Sequence, residues 1–219
     1  MSWDIVVSDA SDVPLETQEV ATDEAWPKIR ILPERPRLGC TKGYNRAFRE
    51  AKGEWVIWLN DDCTVEPGYA EAAIQFMVAH PHIGLGALSY SENGGKFHVN
   101  SYYEMVYANF GIISRELGNV IGWMDESFEM YGCDNSLAFR VLLAGKGIAA
   151  IPESRIIHHA INDSHRRENN EAEKRIKEAE KLRDHYAPYL KQMQKVYAAT
   201  SVPFIGRDQT PKWMWPAAK

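Results

Sequence analysis

The sequence predicts an α/β fold, a mostly parallel sheet flanked by helices, with an amphipathic helical extension at its C-terminal end. Three observations point there. From Trp3 to about His159, short runs rich in β-branched and aromatic residues alternate with helical patterns. The run Trp55-Val56-Ile57-Trp58-Leu59 is apolar throughout and breaks abruptly into Asn60-Asp61-Asp62, as expected of a strand covered on both faces in a parallel sheet. From Asp163 to about Ala199 the chain is charged and helical, with Ala172, Ile176, Ala179, Leu182, Tyr186, Leu190, Met193 and Tyr197 at intervals of three and four. The division falls near residue 160, giving a main region over 1–160 and an extension over 161–219.

The elements follow in order. Residues 4–7 read as a first strand that ends in the polar turn Ser8, Asp9, Ala10, Ser11, Asp12, and residues 28–32 read as a second. Residues 43–51 have helical spacing, Ala47 and Phe48 lying one turn from Tyr44 and Ala51, and Gly53 stops the helix. After the apolar strand, residues 91–103 with Gly94 and Gly95 read as a surface hairpin or a mobile loop. Asp134 opens a helix whose Leu137, Ala138, Val141 and Leu142 share one face, and Gly145 and Gly147 end it. Residues 148–151 form a short strand, and Pro152 leads into Arg155-Ile156-Ile157, closed by His158 and His159. Pro188 is expected to end or kink the extension's helix near Tyr186. That helix packs on its own domain by default, or pairs with a second copy as a homodimer. The tail carries Trp213 and Trp215, whose flat faces suit a sugar or an apolar groove.

Composition excludes several classes. At 219 residues, 45% hydrophobic and 25% charged, the chain has enough apolar material for a full core and is not a disordered sequence. No apolar run approaches the roughly 18 residues of a membrane span, and the first residues lack a basic stretch followed by an apolar one. Cytoplasmic residence without an integral membrane segment is the expectation. Cys40, Cys63 and Cys133 have no C-x-x-C spacing and read as reduced thiols. A net charge of -5 argues against a nucleic acid partner.

The polar end of the apolar strand lies at the sheet's carboxyl edge, where open α/β sheets bind ligands. Adjacent carboxylates there repel one another, and a divalent cation relieves that repulsion and then attracts phosphate. The alternative is that Asp62 only turns the chain ahead of Pro67. A His at a strand end, such as His158, ligates a metal or serves the core. Asp134 suits a general base or a helix N-cap.

Four motifs in order carry a resemblance: DIVVSDASD, LGCTKGYNRAFREAKGEWVIWLNDD, GWMDESFEMYGCDNSLAFR and IPESRIIHH. Over residues 4–159 the chain resembles GT-A glycosyltransferases of the family two type, with similarity also to the polypeptide N-acetylgalactosaminyltransferases and mannosylglycerate synthase. The resemblance implies a GT-A, Rossmann-like fold and metal-dependent transfer of a sugar from a nucleotide-sugar donor, a UDP-sugar before a GDP-sugar, to an acceptor hydroxyl on a glycan, lipid or small molecule. Mn2+ or Mg2+ is the implied cofactor.

Position by position, the resemblance makes Asp9 an acceptor for the base with Ser11 nearby. Gly39 lets the backbone approach the nucleotide, and Lys42 and Asn45 face the base, ribose or diphosphate. Asn60 stands where the first acid of the DxD motif is usual, Asp61 near the ribose and metal, and Asp62 as the direct metal ligand completed by His158, with His159 second in line. Asp134 becomes the base. Trp123, Asp125 and Glu126 lie beside donor sugar and acceptor, the two acids being otherwise an exposed turn, and Arg140 matches a basic residue common in the family. The chain departs in two places: the strand that usually precedes the Asp9 strand has no counterpart, and Ser136 replaces a second acid. Two other classes share parts of this pattern: a nucleotidyltransferase, and a non-catalytic protein binding nucleotide-sugars or glycans.

Overall fold

The structure, a computed structural model, describes residues 3–11, 29–159, 172–202 and 207–209. The start of the predicted extension at Asp163 and the tail with Trp213 and Trp215 lie outside the described residues.

A central five-stranded sheet has the order β3-β8-β5-β9-β4. Its members are β3 (Trp55–Trp58), β4 (Cys63–Val65), β5 (Ile83–Glu92), β8 (Gly111–Ser114) and β9 (Gly147–His158). Only β5 and β9 run parallel; the pairs β3 with β8, β5 with β8 and β4 with β9 are antiparallel. The sheet is therefore mixed rather than mostly parallel, although the fold class is the expected α/β. A separate parallel pair joins β1 (Ile5–Asp9) to β2 (Ile29–Pro33), and a third sheet joins β6 (Asn100–Tyr102), β7 (Met105–Tyr107) and β10 (Arg207–Asp208).

Covering both faces is the work of β5, not of the apolar run after Gly53. Leu85 and Ala87 point into one core with Ile113, Ile148 and Ala150, while Leu88 and Tyr90 enter a second core with Ile112, Ala149 and Ile151, as the period of two requires. By contrast β3 is an edge strand on which Val56 and Trp58 are buried and Trp55 and Ile57 are half-buried. Its continuous apolarity has another cause: one side packs in the first core and the other borders the second.

Helix α1 (Cys40–Glu50) starts at Gly39, whose φ of 85° favours glycine, and ends at Ala51. Helix α2 (Tyr69–Ala79) packs Ala73 and Met77 into the second core. Helix α3 is Arg115–Ile121, capped by Ser114 Oγ accepting from Leu117 N at 3.1 Å. On the face of the sheet opposite α2 lie α4 (Cys133–Leu143), α5 (Ala172–Tyr186) and α6 (Leu190–Thr200), sharing the first core with Phe48 of α1 and Leu117 of α3. The α5 helix ends at Tyr186 and a 3-10 turn over Ala187–Tyr189 carries Pro188, as its missing N–H demands. Leu182, Tyr186 and Met193 from the extension are buried in the same core as Leu85 and Phe139, whereas Ile176 of the predicted stripe is 49% exposed.

Phe139 is 1% exposed and its ring lies 5.2 Å from that of Tyr186. Phe139→Ala is expected to destabilise the protein by about 3–5 kcal/mol, read as a lowered urea midpoint. A loss under about 1 kcal/mol would show that α4 and α5 do not share a core.

Candidate active site

The chain passes from β3, at one edge of the sheet, to β4, at the other, through only Leu59, Asn60, Asp61 and Asp62. The acidic turn is thereby laid across the ends of the strands. On the far side β9 breaks register with β5 after Ile151, where Pro152 cannot donate to the ladder, and resumes at Arg155. Its resumed part pairs with β4 so that Cys63 faces His158, and His159 N donates to the Asp62 carbonyl at 2.8 Å. Strand register thus brings Asp62 and His158 together.

His158 Nε2 lies 3.2 Å from Asp62 Oδ2. This nitrogen is buried and makes no hydrogen bond among the described residues, which is uncommon for a buried polar atom. A carboxylate and an imidazole are donors that suit Mn2+ or Mg2+, ions that retain positions for phosphate oxygens and water. Among the described residues no group of three or more His, Cys, Asp or Glu converges as a metal cage, so any cation held here would share its shell with its substrate. The neighbouring His159 is exposed and its Nε2 is 2.7 Å from Thr64 Oγ1. Asn60 Oδ1 accepts from the Tyr44 hydroxyl, and Asp61 is exposed.

Asp134 sits in the first turn of α4 after Gly132, whose φ is 89°. Its Oδ1 accepts from Asn135 N at 2.9 Å and its Oδ2 from Asn109 Nδ2 at 3.0 Å. Burial pushes its carboxyl up to about 6 despite the backbone N–H of Asn135. Asn109 is the end of a chain of amides: Asn100 Nδ2 donates to Asn109 Oδ1 at 2.7 Å and to the Tyr90 hydroxyl at 2.8 Å. The Tyr90 ring in turn lies 6.3 Å from that of His158. The Asp134 carboxylate is thus hydrogen-bonded through Asn109 and Asn100 to Tyr90, whose ring borders that of His158.

On the other flank, Asp9 closes β1 and is 4% exposed, its Oδ1 accepting from Ser11 N at 3.0 Å and Ser11 Oγ at 2.5 Å. Glu34 is 3% exposed and holds this corner: Oε1 accepts from Ser8 Oγ at 2.6 Å and Oε2 from Leu38 N at 2.9 Å. Gly39 follows, with nothing within 4 Å of where a Cβ would stand, so its positive φ and not space calls for glycine. Lys42 is exposed on α1.

A family model described as Glycosyl transferase family 2 matches residues 2–134, more than half of the chain. The chain belongs to glycosyl transferase family 2. Solved structures agree in fold. A mannosyltransferase from Pyrobaculum calidifontis, PcManGT, solved with GDP-Man and Mn2+, is similar with a TM-score of 0.63 at 17% identity over 86% of this chain and 55% of that one. GalNAc-T7, solved with UDP, GalNAc and Mn2+, is similar at 0.60 and 14% identity over 73% of this chain and 38% of that one. The 1-349 segment of TarS from S. aureus is similar at 0.59 and 13% identity over 86% of this chain and 62% of that one. The family 2 chain therefore has the GT-A fold and spans less than two thirds of each of these proteins.

Of the residues that the resemblance sets beside the ligand, Asn45 and Trp123 are buried, and Asp125 and Glu126 are engaged with neighbouring protein groups. Asn45 is 0% exposed: its Oδ1 accepts from Met124 N at 3.0 Å and its Nδ2 donates to Met124 O at 2.8 Å, so it pins the 122–126 segment to α1. Trp123 is 3% exposed, at a φ of 62°, donating to Asn119 Oδ1 at 3.0 Å and occupying the space where a Gly118 side chain would be. Glu126 accepts from Asn45 Nδ2 at 2.9 Å and pairs with Arg49 at 2.8 Å, hydrogen bonds that hold its carboxyl below the usual range. Asp125 accepts from Ser127 N at 2.9 Å. Burial raises its carboxyl, but this bond and others outweigh it and the net shift is downward. Asp125 and Glu126 line a cleft of about 570 Å3 with Arg140 and Tyr189, and Asp62, Asp134 and His158 do not line it.

Asn109, Glu34 and Tyr44 were not legible as site residues. Each is an ordinary polar residue whose role comes from a partner at least 16 positions away.

Proposed function

We propose that this family 2 chain transfers a sugar from a nucleotide-sugar, a UDP-sugar before a GDP-sugar, to an acceptor hydroxyl with the help of Mn2+ or Mg2+, in the cytoplasm. The observation that carries the reading is the buried His158 Nε2 facing Asp62 Oδ2 at 3.2 Å, beside the ring of Tyr90, whose hydroxyl is hydrogen-bonded through Asn100 and Asn109 to Asp134. Support comes also from GalNAc-T7 with UDP and Mn2+ and TarS with UDP, against one similar structure with GDP-Man. Among the described residues no helix is long and apolar enough to cross a membrane.

Asp62 and His158 would hold the cation, which when bound neutralises the charge that builds on the diphosphate leaving group. The chain's own part is proton transfer and positioning. Asp134 accepts the acceptor hydroxyl's proton as the oxygen bonds to the anomeric carbon and the bond from that carbon to the phosphate oxygen breaks. Asn109 and the Asn135 N–H fix the carboxylate's two oxygens, so that the base does not have to reorganise during attack. Asp9 and Ser11 close the flank expected to meet the base, while Asp61 and Lys42 are the exposed side chains free to meet ribose and phosphate.

Titration calorimetry with UDP and GDP, each with and without Mn2+, tests the reading. Mn2+-dependent binding is expected, tighter for UDP. A protein that binds neither nucleotide would overturn it, and release of pyrophosphate from a nucleoside triphosphate would replace it with nucleotidyl transfer.

A further inference from the structure

The loop that carries the chain into Asp134 is held from outside the family-matched segment. Its amides converge on one carboxylate of α5: Glu178 Oε1 accepts from Glu129 N at 2.5 Å and from Met130 N at 3.4 Å, and Oε2 accepts from Tyr131 N. The carbonyl side of the same loop is tied to the donor-side helix, because Thr41 Oγ1 donates to Glu129 O at 3.1 Å. Two cations flank Glu178 at three-residue spacing. Arg175 lies 5.2 Å over the Tyr131 ring, and Lys181 lies 5.1 Å over the Phe128 ring while donating to Ser127 O. Gly132, between this loop and Asp134, leaves Phe128 only 3.1 Å from where its Cβ would be, so the loop packs tightly against its own helix start.

Successive backbone N–H groups make an anion-binding concavity, and a carboxylate seated there fixes the peptide planes that bear them. We propose that Glu178 is a positioning residue for glycosyl transfer: by gathering the amides of Glu129, Met130 and Tyr131 it sets the first turn of α4 and with it the Asp134 carboxylate. The helical extension is on this account part of the active site's scaffold. The inference rests on the reading of Asp134 as base, and it assigns to residues beyond 134 a role in the same reaction. A displacement of a reacting group by about 1 Å costs on the order of a hundredfold in rate, which sets the expected size of the effect.

The test uses the full chain with Glu178→Ala, Glu178→Gln and the control Lys177→Ala, an exposed residue of the same helix paired with Glu173 at 2.8 Å. Two quantities are read: amide hydrogen exchange over residues 128–132, and steady-state release of UDP from a UDP-sugar with Mn2+. Glu178→Ala is expected to speed exchange at least tenfold in this loop and to lower kcat about a hundredfold, with donor KM and UDP binding unchanged. Glu178→Gln keeps one accepting oxygen and should fall between, and Lys177→Ala should match wild type. If Glu178→Ala also loses protection in β5, its fold has failed, and Glu178→Gln decides. Unchanged loop exchange overturns the clamp. Faster loop exchange with unchanged kcat, or an equal rise in KM, overturns the positioning role alone. A wild type that releases no UDP or GDP from any nucleotide-sugar overturns the transfer reading and the positioning role with it, while the exchange result still decides the clamp.

Discussion

Asp134→Asn is expected to lower kcat by about 10²- to 10⁴-fold while donor KM and nucleotide binding stay within twofold, because a proton acceptor is needed only once the acceptor hydroxyl attacks. The amide keeps the shape and the Asn135 N–H bond but takes no proton. The pH dependence follows from a carboxyl raised to about 6 by burial. Above pH 6 the base is ionised and the rate is level; below it the protonated fraction grows and kcat falls about tenfold per pH unit. That acid limb should vanish in the variant. Stability should move the other way. The folded state binds this proton more tightly than the unfolded chain does, so wild type loses stability as pH rises from about 4 through 6. Asp134→Asn should therefore melt higher than wild type at pH 7.5 and converge with it near pH 4. A variant with wild-type turnover, or an acid limb that survives it, would remove Asp134 from the reaction.

Asp62→Ala is expected to abolish Mn2+-dependent nucleotide binding, with an affinity loss of more than about a hundredfold, since this carboxylate would be a direct ligand rather than a support for one. His158→Ala should cost about 10- to 100-fold and raise the Mn2+ concentration needed for half-maximal binding. His159→Ala should have little effect, because its ring is exposed and engaged with Thr64. Calorimetry on the three variants checks the order. Loss of binding in His159→Ala with retention in His158→Ala would move the ligand by one residue and require β9 to pair with β4 in a different register.

What could be read from the chain was whatever local patterning determines. The alternation of runs, the helix over 133–143 and the end of α5 before Pro188 are set by periodicity, glycine and proline, and appear where those signals lie. The apolar run Trp55 to Leu59 misled, because burial on two faces can come from two cores bordering an edge strand as well as from a parallel neighbour. The Asp62 and His158 pairing needed only that two polar strand ends meet, which the resemblance supplied. The resemblance sets Asn45 and Trp123 beside the ligand, and the structure packs both side chains inside the protein. Their burial depends on the 122–126 segment folding back onto α1, a contact across some 80 positions that no local pattern announces. Glu178 shows the same limit in reverse: a charged helical face reads as solvated until a loop from elsewhere lays its amides on it.

The separation of the β1 and β2 pair from the five-stranded sheet has a mechanical meaning. Among the described residues no ladder joins them, and side-chain ties run from the pair to α1 and the turn after it: Arg30 to Glu50 at 3.4 Å, Arg46 Nη1 donating to Pro33 O at 2.6 Å, Lys52 N donating to Asp4 Oδ2 at 2.8 Å, and Glu34 at the head of α1. A nucleotide gripped at its base by one sheet and at its phosphates by the other would act as a rivet between two plates that share few bolts. Binding energy would then be divided between holding the ligand and stiffening the molecule, and the empty protein would be the looser of the two forms.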